Sequence, residues 1–86
     1  MSESSEVEVV LPAALHARPA GEVVRAAARF GNTISVRHED RSAPARSALK
    51  LMSLGAVAGA TVTVVATGED AAAAVAAVAE VLRAAT

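Results

Sequence analysis

The spacing of apolar residues alternates between two periods along this chain, and this restricts the fold more than any other feature. From Val7 to Val10, valines interleave with glutamate in the period-two pattern of a half-buried strand, and Pro12 ends it. From Ala17 to Phe30 the apolar residues recur at the i, i+3, i+4 and i+7 spacing of an amphipathic helix. Pro19 lies in the first turn, where a missing N–H costs nothing, and Gly31 is placed to cap the end.

Three further segments have the composition or alternation of a strand. They are Thr33 to Arg37, Ser42 to Ala45 and Thr61 to Thr67. Pro44 has no N–H to donate to a neighbouring strand, so the second of these segments should lie at an edge of the sheet.

Two more helices follow from the spacing. Ser47 is a favourable N-cap for a short helix from Ala48 to Gly55, with Leu51 and Leu54 as its core contacts. The acidic pair at 69–70 favours the start of a last helix through the helix dipole. The apolar stripe of that helix consists of Ala71, Ala74, Val75, Val78, Val81 and Leu82.

The predicted order is therefore βαββαβα, in the α+β class. We expect an open-faced β-sandwich, in which a four-stranded antiparallel sheet has one face in water and the other covered by three helices. A chain of 86 residues is long enough for one domain, 1–86, and too short for two. Residues 1–5 precede the first strand, and we expect them to be disordered.

The composition excludes several classes of function. Eight basic and nine acidic residues give a net charge of −1, and Phe30 is the only aromatic residue, so neither phosphate-backbone binding nor base stacking is expected. The chain has no cysteine for a disulfide or a thiolate metal site. The polar start and the short apolar run at 71–79 predict neither a secretion signal nor a membrane span, so we expect a cytoplasmic protein.

The residues that could carry chemistry lie together where the first strand ends and the first helix begins. The segment Leu15 to Ala20 reads Leu-His-Ala-Arg-Pro-Ala. His16 and His38 are far apart in sequence and no H-E-x-x-H motif is present, so we expect no metal site. A glycine-rich phosphate loop is also absent.

A single histidine at a helix start is most simply a solvated residue, but the neighbours of His16 favour a phosphoryl carrier. A neutral imidazole is a competent nucleophile. The N–H groups of Ala17 and Arg18 would face a group attached to the ring, and Arg18 adds a planar fork of donors suited to phosphate. This spacing predicts a histidine that accepts a phosphoryl group and gives it away again.

The segment Ala14 to Ala20 resembles the active-site motif of the HPr family, the histidine-containing phosphocarriers of the bacterial phosphoenolpyruvate:sugar phosphotransferase system. Arg46 to Gly55 resembles the family's regulatory-serine helix, and Ala66 to Asp70 resembles its last turn. The resemblance extends from about Val7 to Leu82, and the family's open-faced sandwich has the βαββαβα order derived above.

The resemblance implies a role for each matching residue. His16 would be the phosphorylated residue, reacting through Nδ1, with Arg18 beside it. Ser47 would match the serine that an ATP-dependent kinase modifies in some bacteria. The helix dipole and Arg46 or Lys50 would make a phosphate there well tolerated. The exposed apolar contacts for partners would be Ala48, Leu49 and Met52.

The resemblance also implies partners. Phospho-enzyme I would be the donor, sugar-specific IIA-type domains the acceptors, and HPr kinase/phosphorylase a further partner where the host has it. The chain would carry a phosphoryl group without turnover of its own and would need no cofactor. We expect a monomer, because the active-site face must be free.

Other functions stay open. A paralogous relay serving a dihydroxyacetone kinase or nitrogen regulation would share these motifs. In a transcriptional co-regulator, phosphorylated Ser47 would be the main site and His16 secondary, although Ser47 on its own is explained equally well as an N-cap. An acylphosphatase would need a catalytic asparagine, and the only asparagine is Asn32, in a turn after Gly31.

Three positions depart from the family pattern. Ala14 stands where glycine is usual, so a left-handed backbone there would be strained. Ala48 replaces a larger aliphatic residue and reduces the partner-facing surface, and Pro44 stands where asparagine is common. None of these changes removes a group that the phosphoryl chemistry needs.

Overall fold

The computed structural model describes residues 3–86. The predicted order βαββαβα is confirmed. The elements are β1 (Ser4–Val10), α1 (Ala17–Ala27), β2 (Thr33–His38), β3 (Arg41–Pro44), α2 (Ala48–Met52), β4 (Thr61–Thr67) and α3 (Ala71–Arg83).

The four strands form one antiparallel sheet in the order β1-β4-β2-β3. Strand β4 lies inside the sheet, with Val64 opposite Val7 of β1 on one side and Val36 of β2 on the other. Strand β3 is an edge strand, so the prediction from Pro44 is confirmed. It runs from Arg41 to Pro44, one residue earlier than the sequence indicated.

One face of the sheet is buried beneath the helices. In β4, Val62, Val64 and Ala66 are buried while Thr61 and Thr67 are exposed. Helix α3 packs on β1 and β4, α1 packs on α3, and α2 packs beside α1 and β3. The core is built mainly from Ala, Val and Leu, as the composition predicts. None of the helices in residues 3–86 is long and apolar enough to cross a bilayer.

The first strand begins earlier than the sequence suggested. Ser4 and Ser5 pair with Thr67 and Ala66 of β4, so the prediction of disorder for residues 1–5 was wrong at these two positions. Two adjacent serines carry no alternation signal, and the seven-residue strand β4 provides their backbone partners. Residues 1 and 2, which that prediction also covered, lie outside the described residues.

Helix α1 ends at Ala27, three residues before the predicted end. The N–H groups of Arg29 and Phe30 bond to the carbonyls three residues back, at 3.2 and 3.1 Å, which tightens the last turn. Gly31 is not among the glycines with positive φ, so the prediction that it caps this helix was wrong. The side chain of Arg46 satisfies the carbonyls of Ala27 and Phe30 instead.

The other two helices agree more closely with the sequence. Helix α2 is shorter than the predicted 48–55, but Gly55, at φ +68°, ends the turn that follows it. In α3, Val81 is only half-buried and Ala79 is buried, while the rest of the predicted stripe faces the core. Asp70 precedes α3 in a left-handed conformation, at φ +60°, and its side chain makes no capping bond.

Candidate functional site

His16 occupies the N-cap position of α1. Its backbone is extended, at φ −88° and ψ −167°, and its carbonyl accepts the first helical hydrogen bond from the Ala20 N–H at 3.0 Å. The imidazole makes no capping bond and the residue is exposed. The ring of His16 is therefore free to react with a group brought by another molecule.

The loop that carries His16 is held by buried neighbours. Leu11 and Leu15 are buried, and the Leu15 N–H donates to the Ala56 carbonyl at 3.0 Å. Ala14 is not among the residues of the described chain with positive φ, so the strain expected at that position does not arise. An exposed histidine thus projects from a backbone that is fixed on its inner side.

The start of α1 provides donors for an anion. Within residues 3–86 the N–H groups of Ala17 and Arg18 have no acceptor, as expected for a first helical turn. The Arg18 side chain is exposed and makes neither an ion pair nor a hydrogen bond with the described residues. Two backbone donors and a guanidinium therefore lie next to His16 in sequence, at the positive end of the helix dipole.

Helix α2 presents apolar side chains to solvent. Leu49 is 73% exposed and Met52 37% exposed, as the resemblance implies, whereas Leu51 and Leu54 are buried as predicted. Ala48 is only half-buried and packs against the core, so it is the least accessible of the three predicted contacts.

The sequence did not indicate Val57, which is 61% exposed. It follows Ala56, whose carbonyl bonds to Leu15 next to His16. A valine between two alanines has no pattern that distinguishes an exposed contact from a core residue. We call Leu49, Met52 and Val57 the apolar patch.

Ser47 is the N-cap of α2, as predicted. Its Oγ accepts a hydrogen bond from the Lys50 N–H at 3.2 Å. Of the two cations expected to tolerate a phosphate at Ser47, Arg46 has a guanidinium that already bonds to other groups. That group donates to the carbonyls of Ala27 at 3.0 Å, Asn32 at 2.8 Å and Phe30. Lys50 is the other nearby cation, and its side chain makes no hydrogen bond or ion pair with residues 3–86.

Asn32, the residue needed for an acylphosphatase, is committed to the fold. It is buried, and its Nδ2 donates to the carbonyls of Thr67 at 3.0 Å and Glu69 at 2.6 Å. These bonds hold the turn between β4 and α3. The asparagine side chain that an acylphosphatase would need for catalysis is thus hydrogen-bonded to backbone carbonyls.

His38 and His16 belong to different elements of the fold. The Nδ1 of His38 lies 3.2 Å from the Leu54 carbonyl, and this residue belongs to β2 rather than to the loop before α1. Among residues 3–86 there is no group of three His, Asp or Glu side chains placed to hold a metal ion.

The fold and the site together define a small open-faced α+β sandwich that presents one histidine at the start of a helix. Residues 3–84 match the family model described as the PTS HPr component phosphorylation site, and the chain belongs to this HPr phosphocarrier family.

Known members of the family are similar over most of the chain. The phosphocarrier protein HPr of Buchnera aphidicola is 36% identical over 66 residues, which cover 77% of this chain and 78% of that protein. The crystal structure of HPr from Bacillus anthracis is 32% identical, with a TM-score of 0.80 over 94% of this chain and 96% of the other. The solution structure of Crh, the catabolite repression HPr of Bacillus subtilis, is 33% identical, with a TM-score of 0.78 over 98% and 100% of the two chains.

Proposed function

We propose that this protein relays a phosphoryl group from phospho-enzyme I to sugar-specific components of a phosphotransferase system, through His16. The observation that carries the proposal is the exposed imidazole of His16 at the start of α1, beside N–H groups that have no acceptor in the described chain. Membership of the HPr family supports the same chemistry.

The transfer requires one nucleophile and a place for charge. The Nδ1 lone pair of His16 attacks the phosphorus of the donor phosphohistidine, the new N–P bond forms, and the N–P bond of the donor breaks with its electron pair returning to the donor ring. The equatorial oxygens carry the charge, and the N–H groups of Ala17 and Arg18 and the Arg18 guanidinium stabilise it. Delivery to an acceptor histidine or cysteine repeats the step with His16 as the leaving group.

The exposure of the site suits a carrier more than an enzyme. The phosphoryl group of a carrier has to be accessible to two different proteins in turn. The exposed His16 meets this requirement. Nothing in this arrangement requires a cofactor or turnover by the chain itself. We place the relay in the cytoplasm.

The apolar patch is the proposed docking surface for enzyme I and for IIA-type domains. Leu49 and Val57 are more than half exposed. The segment after α2 is bonded to the loop that carries His16, so a partner seated on the patch would meet the imidazole. Ala48 contributes only at the margin because it is half-buried.

A second candidate function is regulation through Ser47, modified by HPr kinase/phosphorylase. The similarity to Crh, which is described as a catabolite repression HPr, favours this possibility. A phosphate on Ser47 Oγ would sit at the start of α2 beside the Lys50 N–H and so would alter the surface next to the apolar patch. As a transcriptional co-regulator, the protein would not need His16 for its main effect.

Intact-mass measurement after incubation with phosphoenolpyruvate and purified enzyme I tests the proposed relay, with wild type and His16→Ala in parallel. We expect one acid-labile, alkali-stable phosphoryl adduct on the wild type and none on the variant. No adduct, with an enzyme I that charges a known carrier, would exclude this donor and favour a paralogous relay for dihydroxyacetone or nitrogen regulation, or a role centred on Ser47.

A further inference from the structure

The four residues after α2, 53–56, are held by the hairpin between β2 and β3. Arg41 Nη1 donates to the Ser53 carbonyl at 3.1 Å. His38 Nδ1 lies 3.2 Å from the Leu54 carbonyl, and because a carbonyl can only accept, that ring nitrogen must carry the proton. The hairpin thus binds two consecutive carbonyls at the end of α2.

The same segment is bonded on its other side to the loop that carries His16. The Ala56 carbonyl accepts the N–H of Leu15, the residue before His16, at 3.0 Å. Residues 53–56 therefore form a bridge, with hairpin side chains at one end and the backbone of the candidate site at the other.

This bridge needs external support. Helix α2 has only five residues, which is too short to be stable by itself. The carbonyls of Ser53 and Leu54 follow its last turn, where no further helical N–H can reach them. Gly55, at φ +68°, then turns the chain away, so the side chains of Arg41 and His38 take the place of helical donors.

We infer that Arg41 and His38 are positioning residues for the proposed phosphoryl transfer. Acting through residues 53–56, they fix the backbone of His16 and hold the apolar patch beside it. In this role neither residue acts on the phosphoryl group directly. This inference rests on the proposed function for its catalytic consequence but not for its structural one.

Arg37 offers a matched control on the same hairpin. It lies on β2 and is exposed, and its guanidinium is 3.7 Å from the Glu6 carboxylate, with no hydrogen bond to α2 or to the segment after it. Arg37→Met and Arg41→Met remove the same charge and the same group from neighbouring positions, but only the second variant removes support from the bridge.

Amide hydrogen exchange in the isolated protein tests the structural part. In Arg41→Met we expect the N–H groups of Leu15 and Gly55 to exchange about two- to tenfold faster than in wild type, the effect of losing one net hydrogen bond on a local opening. Arg41→Lys keeps a donor, so its exchange rates should lie between those of wild type and Arg41→Met. The exchange rates of Arg37→Met should match those of wild type. Equal exchange in Arg41→Met and Arg37→Met would overturn the inference.

Phosphoryl transfer from enzyme I tests the functional part. We expect Arg41→Met to raise the KM for this protein about two- to tenfold while kcat changes little, because the displaced patch and loop weaken docking and not the attack by the ring. If Arg41→Met does not fold, His38→Ala, which removes the other donor, carries the same expectations. An unchanged KM in a variant with faster Leu15 exchange would overturn the functional part.

The two hypotheses fail in different ways. If wild type accepts no phosphoryl group, the proposed function is wrong, and the exchange rates still decide whether the hairpin supports the bridge. If wild type is phosphorylated and Arg41→Met behaves as Arg37→Met in both assays, the relay stands and the positioning role is wrong.

Discussion

Replacing Arg46 by methionine should cost this protein a large part of its stability, although the side chain lies on the surface. Its guanidinium donates to three carbonyls, those of Ala27, Phe30 and Asn32, at the end of α1 and in the loop that follows. The Ala27 carbonyl lies in the last turn of α1 and also accepts the Phe30 N–H, while the carbonyls of Phe30 and Asn32 follow in the loop. Methionine keeps most of the length of the side chain and removes every donor.

The magnitude follows from those three bonds. A hydrogen bond contributes about 0.5–1.5 kcal/mol net, and we take the lower end because Arg46 is exposed and water can replace it in part. A cation at a helix C-terminus adds about 0.3–1 kcal/mol through the dipole. The expected loss is about 2 kcal/mol, which for a domain of this size lowers Tm by about 8–16 °C.

Thermal unfolding followed by circular dichroism measures this loss. Arg25→Met is the matched control, because Arg25 is exposed in the last turn of α1, where it shares the dipole contribution, and its side chain makes no hydrogen bond or ion pair with residues 3–86. Arg46→Lys should fall between wild type and Arg46→Met, since an ammonium retains the charge and some donors. If Arg46→Met melts at the same temperature as Arg25→Met, the carbonyls of α1 do not depend on Arg46 and the reasoning is wrong.

Three further changes have definite expected outcomes. Ser47→Ala removes the bond to the Lys50 N–H and should destabilise the protein by about 1 kcal/mol in chemical denaturation, whereas Ser47→Thr should restore most of it. Leu49→Ser should leave Tm within about 2 °C of wild type but weaken binding to enzyme I about five- to tenfold by calorimetry, since the side chain is exposed; unchanged affinity would remove Leu49 from the docking surface. Gly68→Ala should cost about 1–3 kcal/mol, because φ is +99° and a Cβ would lie 3.3 Å from Asn32 Nδ2; a stable variant would show that this turn tolerates a side chain.

The order of the elements could be predicted because each carries its own period. The alternation in Thr61–Thr67 and the helical spacing after Ala17 are local signals, and the structure has the strand at these residues and a helix that begins at Ala17. Pro44 likewise predicted an edge strand, because the missing N–H is a property of that residue alone.

The contacts that end and join these elements could not be predicted, because they depend on residues distant in sequence. Asn32 bonds to carbonyls 35 and 37 residues away, and Arg46 bonds to the end of α1. The start of β1 at Ser4 depends on pairing with Thr67. No local pattern contains these partners, so the end of α1 and the start of β1 were predicted wrongly.

The candidate site also has some residues that the sequence predicts and others that only the folded chain reveals. His16 and Arg18 could be singled out because a nucleophile, a basic fork and a helix start follow one another in sequence. Val57 and the supporting contact of Arg41 with the Ser53 carbonyl could not, since exposure and long-range hydrogen bonds arise only once the chain is folded.

The central claim is that His16 carries the phosphoryl group on Nδ1. Phosphorus–nitrogen correlation NMR of the protein labelled with ¹⁵N and charged by enzyme I and phosphoenolpyruvate tests it most directly. We predict one phosphorus signal coupled to Nδ1 of His16, which disappears when an acceptor IIA domain is added. A phosphorus signal on His38 or on Ser47, or none with an active enzyme I, would contradict the account.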